Sequence, residues 1–434
     1  MINKSLMIYN LIKNAPSPIS HILSVLYCII LIFLSCLIAD EYMVKYLKFL
    51  IKMTNIKSDV AAILFLNIGN GLPDLITSFI AVDRNLSLVF FTVIGSYITL
   101  ITLVLGLIII FRKDGVVFNP SSFYKNIGFL FVSYVFLIYL IFEQKIDYIL
   151  SIAMICMYSA FIFHTIINSI ASEIEIVENE NELEESVEIY RPLRILVNVS
   201  KKFLSMIFLN LEDLPRNISR TIYYSASFIL NFWILYFVWG LKVSLIVVAI
   251  IHILLIALGF ILSKLDQKFI SPIFSKIYGF SISMIWIFII TDETFAIIEN
   301  SEVAFGLPKE FSALTILALG NCMGDIVTGT IASKSGLFQI AATAVLTSPI
   351  HNVLFNLPIL FLYELIRKKV KVMSFKRDVL NFDVPGALIP IILIVLIFNF
   401  EMRNSKMEKE LGWTSICTYI IFIVLLICEM IVMK

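Results

Sequence analysis

Charged residues are scarce in this chain. Only 15% of its 434 residues are Asp, Glu, Lys or Arg, and 60% are hydrophobic. A soluble globular protein carries about 25% charged residues, so the composition excludes a soluble domain and predicts a multi-pass membrane protein. The net charge of +1 says nothing about partners. We expect the lipid bilayer as a partner, and no nucleic acid.

Histidine and cysteine are also few. The four His residues show no H-x-x-x-H spacing, and the six Cys residues all lie in apolar segments. These spacings suggest neither a zinc site nor a disulfide framework. We expect no cofactor, no catalytic residue and no enzymatic activity.

Long apolar runs are abundant, and a spanning helix needs about 20 such residues. They predict an all-α fold of about 12 spans: two five-helix repeats with two extra helices between them. The candidate spans are 20–39, 58–82, 86–111, 125–143, 147–171, 222–240, 243–263, 272–291, 310–333, 337–362, 385–400 and 413–433.

The same pattern divides the chain into four segments. Residues 1–171 form the first repeat, and 264–434 form the second. Residues 222–263 form the two linking helices. The segment 172–221 is a Glu-rich hydrophilic loop, and the distribution of Lys and Arg places it in the cytosol. We interpret it as a solvated linker rather than a Ca²⁺-binding or partner-binding segment, because its glutamates lack the EF-hand spacing.

Two hexapeptides inside apolar runs share the frame G-N-x-x-x-D. They are Gly69–Asp74 and Gly320–Asp325, offset by 251 positions. With the same offset, the starts of the first three spans of each repeat coincide. Seven spans, an odd number, precede the second repeat, so the two repeats have opposite orientations in the membrane. Inverted repeats with a binding site between them are typical of secondary transporters.

A carboxylate inside a membrane is costly, so it usually faces a partner, a cavity or an ion. The side chains that share a helical stripe with the two Asp residues all bear oxygen, as carboxylates, carboxamides or hydroxyls. Hard cations such as Ca²⁺ and Na⁺ prefer oxygen ligands, so we expect small cations as partners. The expected cation ligands are Asp74, Asp325, Asn70, Asn321, Asn67, Thr77, Thr328, Ser96, Thr99, Ser348 and Asn352.

Other polar residues near these stripes receive a structural interpretation. His351 is read as a packed, neutral ring rather than a proton relay. Asn356 and Thr102 are read as helix-packing residues. Glycines and prolines at the motifs, including Pro349 in the following span, are expected to interrupt their helices.

The two motifs resemble those of the cation/calcium exchanger superfamily. The closest resemblance is to the mitochondrial-type sodium/calcium exchangers and the related cation/calcium exchangers. The first motif matches the G-N-G-x-P-D of that branch. The second matches its G-N-S-x-G-D with Cys322 in place of Ser, and Ser348 and His351 replace the Gly and Phe of a following G-P-x-F-N element.

The resemblance implies Ca²⁺ transport by alternating access at a midplane site, in exchange for a monovalent cation. Asp74 and Asp325 would be the central ligands, with Asn70 and Asn321 beside them. Na⁺ is favoured as the counter-cation, with H⁺ and K⁺ as alternatives. The sequence is compatible with the plasma membrane and with mitochondrial inner, vacuolar or other endomembranes, and it specifies no oligomeric state.

Two alternatives use the same residues. An intramembrane aspartyl protease also needs two membrane carboxylates, but Cys322 and Pro73 depart from its motifs. An uncoupled cation channel could use the same oxygen ligands. The twin motif favours the antiporter over both.

Overall fold

The structure is a computed structural model that describes most of the apolar chain. The described ranges are 17–54, 57–67, 86–112, 118–143, 145–171, 207–208, 220–239, 270–305, 309–374, 389–397 and 409–432, with single positions that include Gly69 and Gly71. Among the predicted ligands, Asn70, Asp74 and Thr77 lie outside the described residues, as does most of the predicted span 243–263.

The described residues are almost entirely helical. The α-helices are α1 Ser17–Ile38, α2 Val44–Thr54, α3 Ser58–Ala61, α4 Leu86–Thr99, α5 Leu105–Ile110, α6 Pro120–Glu143, α7 Tyr148–Ala171, α8 Arg220–Trp239, α9 Ile270–Phe305, α10 Lys309–Ser312, α11 Ala318–Asn321, α12 Met323–Lys334, α13 Phe338–His351, α14 Leu357–Lys368 and α15 Lys409–Val432. Two short strands, β1 Lys145–Asp147 and β2 Val372–Ser374, pair antiparallel.

Five π-helical segments interrupt the α-helices: π1 Ala39–Met43, π2 Ala62–Asn67, π3 Leu100–Val104, π4 Ala313–Leu317 and π5 Asn352–Asn356. Four of them join two α-helices into a longer rod, and π2 extends α3. The rod α13–π5–α14 contains Pro349, so the expected interruption there is wrong. The π5 segment that follows the proline absorbs the irregularity, and the helical path continues to Lys368.

Several helices are long and apolar enough to cross a membrane. Within the described residues there are six, and a seventh results if the bent pair Ala313–Asn321 and Met323–Lys334 is one span. The six are Leu88–Ile110, Pro120–Glu143, Tyr148–Ile167, Ile273–Ile290, Phe338–Lys368 and Lys409–Glu429. The prediction of a helical multi-pass membrane protein is confirmed.

The chain forms two compact units that do not follow the two sequence halves. Unit 1 comprises 1–54 and 176–293, and unit 2 comprises 55–175 and 294–434. Each unit therefore takes helices from both predicted repeats. The segments 1–171 and 264–434 describe the order along the chain. Packing groups the helices differently, because several helices of one half pack on helices of the other.

In unit 1, two residues of the predicted hydrophilic loop are anchored between helices. Ile207 and Phe208 are 1% and 0% exposed. The Tyr46 hydroxyl donates to the Phe208 carbonyl at 2.9 Å, and the Asn231 amide donates to the Ile207 carbonyl at 2.8 Å. The interpretation of 172–221 as a solvated linker is wrong for these two residues, because their apolar side chains and their carbonyls both find partners inside the unit.

In unit 2, irregular helix geometry recurs at equivalent positions of the two halves. The starts of π2 and π4 differ by 251 positions, and those of π3 and π5 differ by 252. The packing also recurs: α13 packs on π2, and its equivalent α4 packs on π4. π-Helical turns occur frequently at functional sites, and here π2 and π4 lead directly into the two G-N-x-x-x-D motifs.

Gly95 allows a close helix approach in unit 2. A Cβ at this position would lie 2.2 Å from the Leu314 carbonyl oxygen and 2.7 Å from the Ala318 Cβ. Both neighbours belong to the rod that carries the second motif. The absent side chain thus lets α4 lie directly against π4 and α11.

We expect Gly95→Ala to destabilise the protein by about 1–3 kcal/mol, the usual cost of overpacking a close contact. Thermal unfolding of the purified chain in detergent measures the change. Gly128→Ala in α6 is the matched control, because a methyl group added at Gly128 would meet nothing within 4 Å. Equal midpoints for the two variants would contradict the close approach.

Candidate cation site

The second motif lies at a break between two helices. α11 ends at Asn321, which is half-buried, α12 begins at Met323, and the axis bends by 48° at Cys322. Glycines on both sides of Cys322 predict such a break. Asp325 lies in the first turn of α12, where the amide groups of a helix N-terminus favour a nearby negative charge.

Asp325 is buried beside the next helix of the bundle. Its side chain is 4% exposed, and the Ser348 hydroxyl of α13 lies 3.5 Å from its Oδ2. The Thr328 hydroxyl donates to the Gly324 carbonyl at 2.8 Å. The structure thus brings Asp325 and Ser348 together.

Ser96 and Thr99 lie on α4, on the other side of the break. The Ser96 hydroxyl donates to the Ala318 carbonyl at 3.4 Å, and the Cys322 thiol approaches the Ser96 carbonyl at 3.7 Å. Thr99 donates to the Gly95 carbonyl of its own helix at 2.8 Å. Ser96 is therefore adjacent to the second motif, whereas the Thr99 hydroxyl proton is used within α4.

Asn67, at the end of π2, contacts a residue that the sequence analysis missed. Its Nδ2 donates to the Thr347 hydroxyl at 2.6 Å, and its Oδ1 has no hydrogen-bond partner among the described residues. Thr347 lies 251 positions after Ser96, so the repeat offset would have identified it. The contacts Asn67–Thr347 and Ser96–Ala318 are themselves related by that offset.

Asn352 is held by polar contacts that reach the first motif. The Asn356 amide donates to the Asn352 Oδ1 at 2.9 Å and approaches the Gly71 carbonyl at 3.4 Å. The His351 ring lies directly against Gly71, because a Cβ there would be 2.6 Å from its Nε2. Gly71, which belongs to the first motif, therefore lies against α13 and π5.

Asp59, a further carboxylate that the sequence analysis missed, is neutralised within the protein. Its Oδ2 accepts from Lys125 at 2.8 Å, and its Oδ1 accepts from Ser122 at 2.7 Å. Gln339 and Thr343 approach the same Oδ1 at 3.3 Å. The Lys125 and Asp59 side chains are 7% and 20% exposed. With its charge already paired, Asp59 is not a candidate cation ligand.

The described part of the site contains few acidic ligands. No group of three or more His, Cys, Asp or Glu side chains within the described ranges could hold a metal ion. Hydroxyls, amides and one buried carboxylate, Asp325, line this region instead. Such a set suits a transported hard cation better than a tightly held metal cofactor.

Long apolar helices, a broken helix and a buried carboxylate at the break define a membrane transporter class rather than an enzyme. A sequence model of the sodium/calcium exchanger protein family matches residues 24–167 and 275–428, together more than half of the chain. The chain belongs to this family. The resemblance to the cation/calcium exchangers is confirmed, and the protease alternative is not supported.

Three relatives are named as exchangers, and the chain matches them over different lengths. A mitochondrial sodium/calcium exchanger protein of Caenorhabditis elegans is 34% identical over 24% of this chain and 16% of its own length. Cation/calcium exchanger 2 of Arabidopsis thaliana is 25% identical over 77% of this chain and 69% of its own length. The match to a second Caenorhabditis elegans relative, putative sodium/calcium exchanger 7, covers 27% of that protein. The chain thus spans less than a third of the length of the two nematode relatives.

The fold is similar to that of a solved sodium-calcium exchanger, NCX_Mj. A structure of NCX_Mj soaked with Na⁺ and Sr²⁺ superposes with a TM-score of 0.56 at 16% identity, covering 93% of this chain and 98% of that one. A structure soaked with Na⁺ and Ca²⁺ gives the same TM-score. At 16% identity, this similarity shows the fold alone.

Mutation tests whether Lys125 neutralises Asp59. Lys125→Met leaves a largely buried carboxylate unpaired, so we expect it to destabilise the protein by about 3 kcal/mol. The double variant Asp59→Asn, Lys125→Met removes both charges and should recover most of that loss. Thermal unfolding in detergent measures both variants, and additive losses would contradict the pairing.

Proposed function

We propose that the chain is a secondary antiporter that exchanges Ca²⁺ for a monovalent cation. One observation carries this proposal: Asp325 is buried at a helix break, with the Ser348 hydroxyl at 3.5 Å, inside the region that matches the sodium/calcium exchanger family. A buried carboxylate at an irregular point of a spanning helix is typical of ion-transport sites.

The proposed ligand set is the one that the sequence predicts, with Asp74 and Asp325 as its central carboxylates. Two carboxylates balance the charge of one Ca²⁺, and the hydroxyls and amides supply the remaining oxygens of its six to eight ligands. The contacts of Ser96, Ser348 and Asn67 with motif-bearing rods support their inclusion.

Alternating access would follow from two inverted repeats, 1–171 and 264–434, joined by the cytosolic loop 172–221 and the linking helices 222–263. The recurrence of π-helices and of cross-helix contacts at an offset of 251 or 252 positions supports this layout. Equivalent geometry on both sides of one site is what an exchanger needs to open in turn to each membrane face.

We favour Na⁺ as the counter-cation. Na⁺ also prefers oxygen ligands, and it can replace Ca²⁺ while Asp74 and Asp325 stay ionised. Exchange against H⁺ would require both carboxylates to take up protons within the same cycle. The names of the two nematode relatives include sodium, and this agrees with the chemical argument.

Flux into proteoliposomes tests the function. Vesicles that contain the purified chain should take up ⁴⁵Ca²⁺ when an outward Na⁺ gradient is imposed, because inward Ca²⁺ movement is coupled to Na⁺ exit. Uptake driven instead by K⁺ or pH gradients would change the counter-cation. Conductive uptake without any counter-gradient would replace the antiporter with a channel.

The site is tested by removing its two central charges. The double variant Asp74→Asn, Asp325→Asn should reduce Na⁺-dependent ⁴⁵Ca²⁺ uptake to the level of protein-free vesicles, since the amides cannot balance the charge of Ca²⁺. Its control is Asp59→Asn, Lys125→Met, which removes a membrane carboxylate outside the site and should retain uptake. Persistent uptake in the first variant would refute the proposed site.

A further inference from the structure

Gly71 of the first motif is held by two side chains from a rod of the other sequence half. His351, the last residue of α13, lies so close that a Cβ on Gly71 would be 2.6 Å from both its Cδ2 and its Nε2. Asn356, the last residue of π5, places its Nδ2 3.4 Å from the Gly71 carbonyl oxygen. We call His351, Asn356 and Gly71 the Gly71 clamp.

The His351 ring is fixed in place from its far side. Its Nδ1 lies 2.7 Å from the Tyr158 hydroxyl on α7, and the two ring centroids are 5.3 Å apart. Phe355 packs on the same imidazole with a centroid distance of 5.1 Å. The ring therefore cannot turn away from Gly71 without losing a buried hydrogen bond and two aromatic contacts.

Two buried polar atoms of the clamp have no hydrogen-bond partner in the part of the chain that the structure describes. They are His351 Nε2 and Asn356 Oδ1, on residues that are only 4% and 5% exposed. Leaving such atoms unpaired is costly, and native proteins retain few of them. If the clamp served packing alone, apolar side chains of similar shape would avoid this cost.

Asn356 also connects the clamp to a proposed cation ligand. The same Nδ2 donates to the Asn352 Oδ1 at 2.9 Å, one turn earlier in π5. One amide group thus bridges the backbone of the first motif and a ligand carried by the second half. The position of the Asn352 oxygen relative to the first motif depends on this bridge.

The clamp is absent from the equivalent place in the other half. At offsets of 251 and 252, His351 corresponds to Leu100 or Thr99, and Asn356 corresponds to Leu105 or Val104. Leu and Val cannot make either polar contact, and the Thr99 hydroxyl donates to the Gly95 carbonyl of its own helix. Gly71 corresponds to Cys322, whose thiol approaches the Ser96 carbonyl instead. The two motifs are therefore positioned by different chemistry.

We propose that Asn356 and His351 are positioning residues that set the distance between the first motif and Asn352, and thereby the discrimination between cations of equal charge and different size. This inference rests on the proposed exchange function. It replaces the interpretation of Asn356 as a helix-packing residue, and it leaves His351 as a packed ring with a defined task.

The test compares Asn356→Leu with wild type in Na⁺-dependent ⁴⁵Ca²⁺ uptake, with competition by Sr²⁺. Sr²⁺ has the charge of Ca²⁺ and a larger radius, so it reports the size of the site. We expect the apparent KM for Ca²⁺ to rise about ten-fold, within the range that a small misplacement of a binding group costs. The Ca²⁺/Sr²⁺ preference should fall, and Asn356→Gln, which keeps the amide donor, should restore part of both.

A matched control separates positioning from a general effect on packing. Asn126 is fully buried on α6 of the same unit, makes one long hydrogen bond of 3.4 Å with Ser122, and also has an unpartnered Oδ1. Asn126→Leu is therefore the same chemical change at a residue with no hydrogen bond to either motif among the described residues. It should leave the KM and the Ca²⁺/Sr²⁺ preference as in wild type.

Tyr158→Phe provides a second, milder variant should Asn356→Leu not fold. It removes one hydroxyl on α7 and frees the His351 ring, so the Ca²⁺/Sr²⁺ preference should shift in the same direction by a smaller factor. Unchanged KM and preference in the Asn356 and Tyr158 variants, or an equal change in Asn126→Leu, would overturn the positioning role while leaving exchange intact. Wild-type vesicles without any Na⁺-dependent uptake would overturn the exchange function, and the inference with it.

Discussion

A charged side chain inside an apolar helix bundle must be stabilised by neighbouring charges or dipoles. Two carboxylates of unit 2 are stabilised in different ways. Asp59 has Lys125 at 2.8 Å together with hydroxyl and amide donors, so its charge is compensated within the protein. Asp325 instead lies at the N-terminal end of α12, beside the Ser348 hydroxyl, where partial charges stabilise it. The paired charge of Asp59 argues against a role as cation ligand, and we propose that role for Asp325.

Irregular helices provide the polar groups that such a site needs. A regular α-helix uses its own carbonyls, so in a membrane it offers a cation only side chains. The break at Cys322 and the π segments beside the motifs change this locally. π5 also brings Asn352 and Asn356 to the same side of the rod, where one amide can serve both Asn352 and Gly71. Backbone irregularity and polar side chains thus occur at the same points for one physical reason.

The two sequence halves are not two structural domains. Unit 2 combines residues 55–175 with 294–434, and its closest contacts join the halves, as at Gly95 with Leu314 and at Gly71 with His351. An ion site built in this way needs ligands from both halves in one rigid environment. The Gly71 clamp is one example of how the halves are held in register, and its absence from the equivalent position of the other half makes the site asymmetric.

Hydropathy and the repeat offset predicted the class of protein, the bounds of several spanning helices and the second motif's position at a helix break. Both patterns are properties of the linear sequence and can be recognised without knowledge of the packing. They also identified Asp325, Ser348 and Ser96, which the tertiary structure places beside one another or beside the second motif. Three contacts became apparent only from the packed helices. They are the ion pair of Lys125 with Asp59, the hydrogen bond of Asn67 with Thr347, and the bridge from Asn356 to Gly71 and Asn352. Most of these contacts join residues far apart in the chain, and which faces of the helices meet depends on side-chain shape and helix irregularity, neither of which hydropathy records.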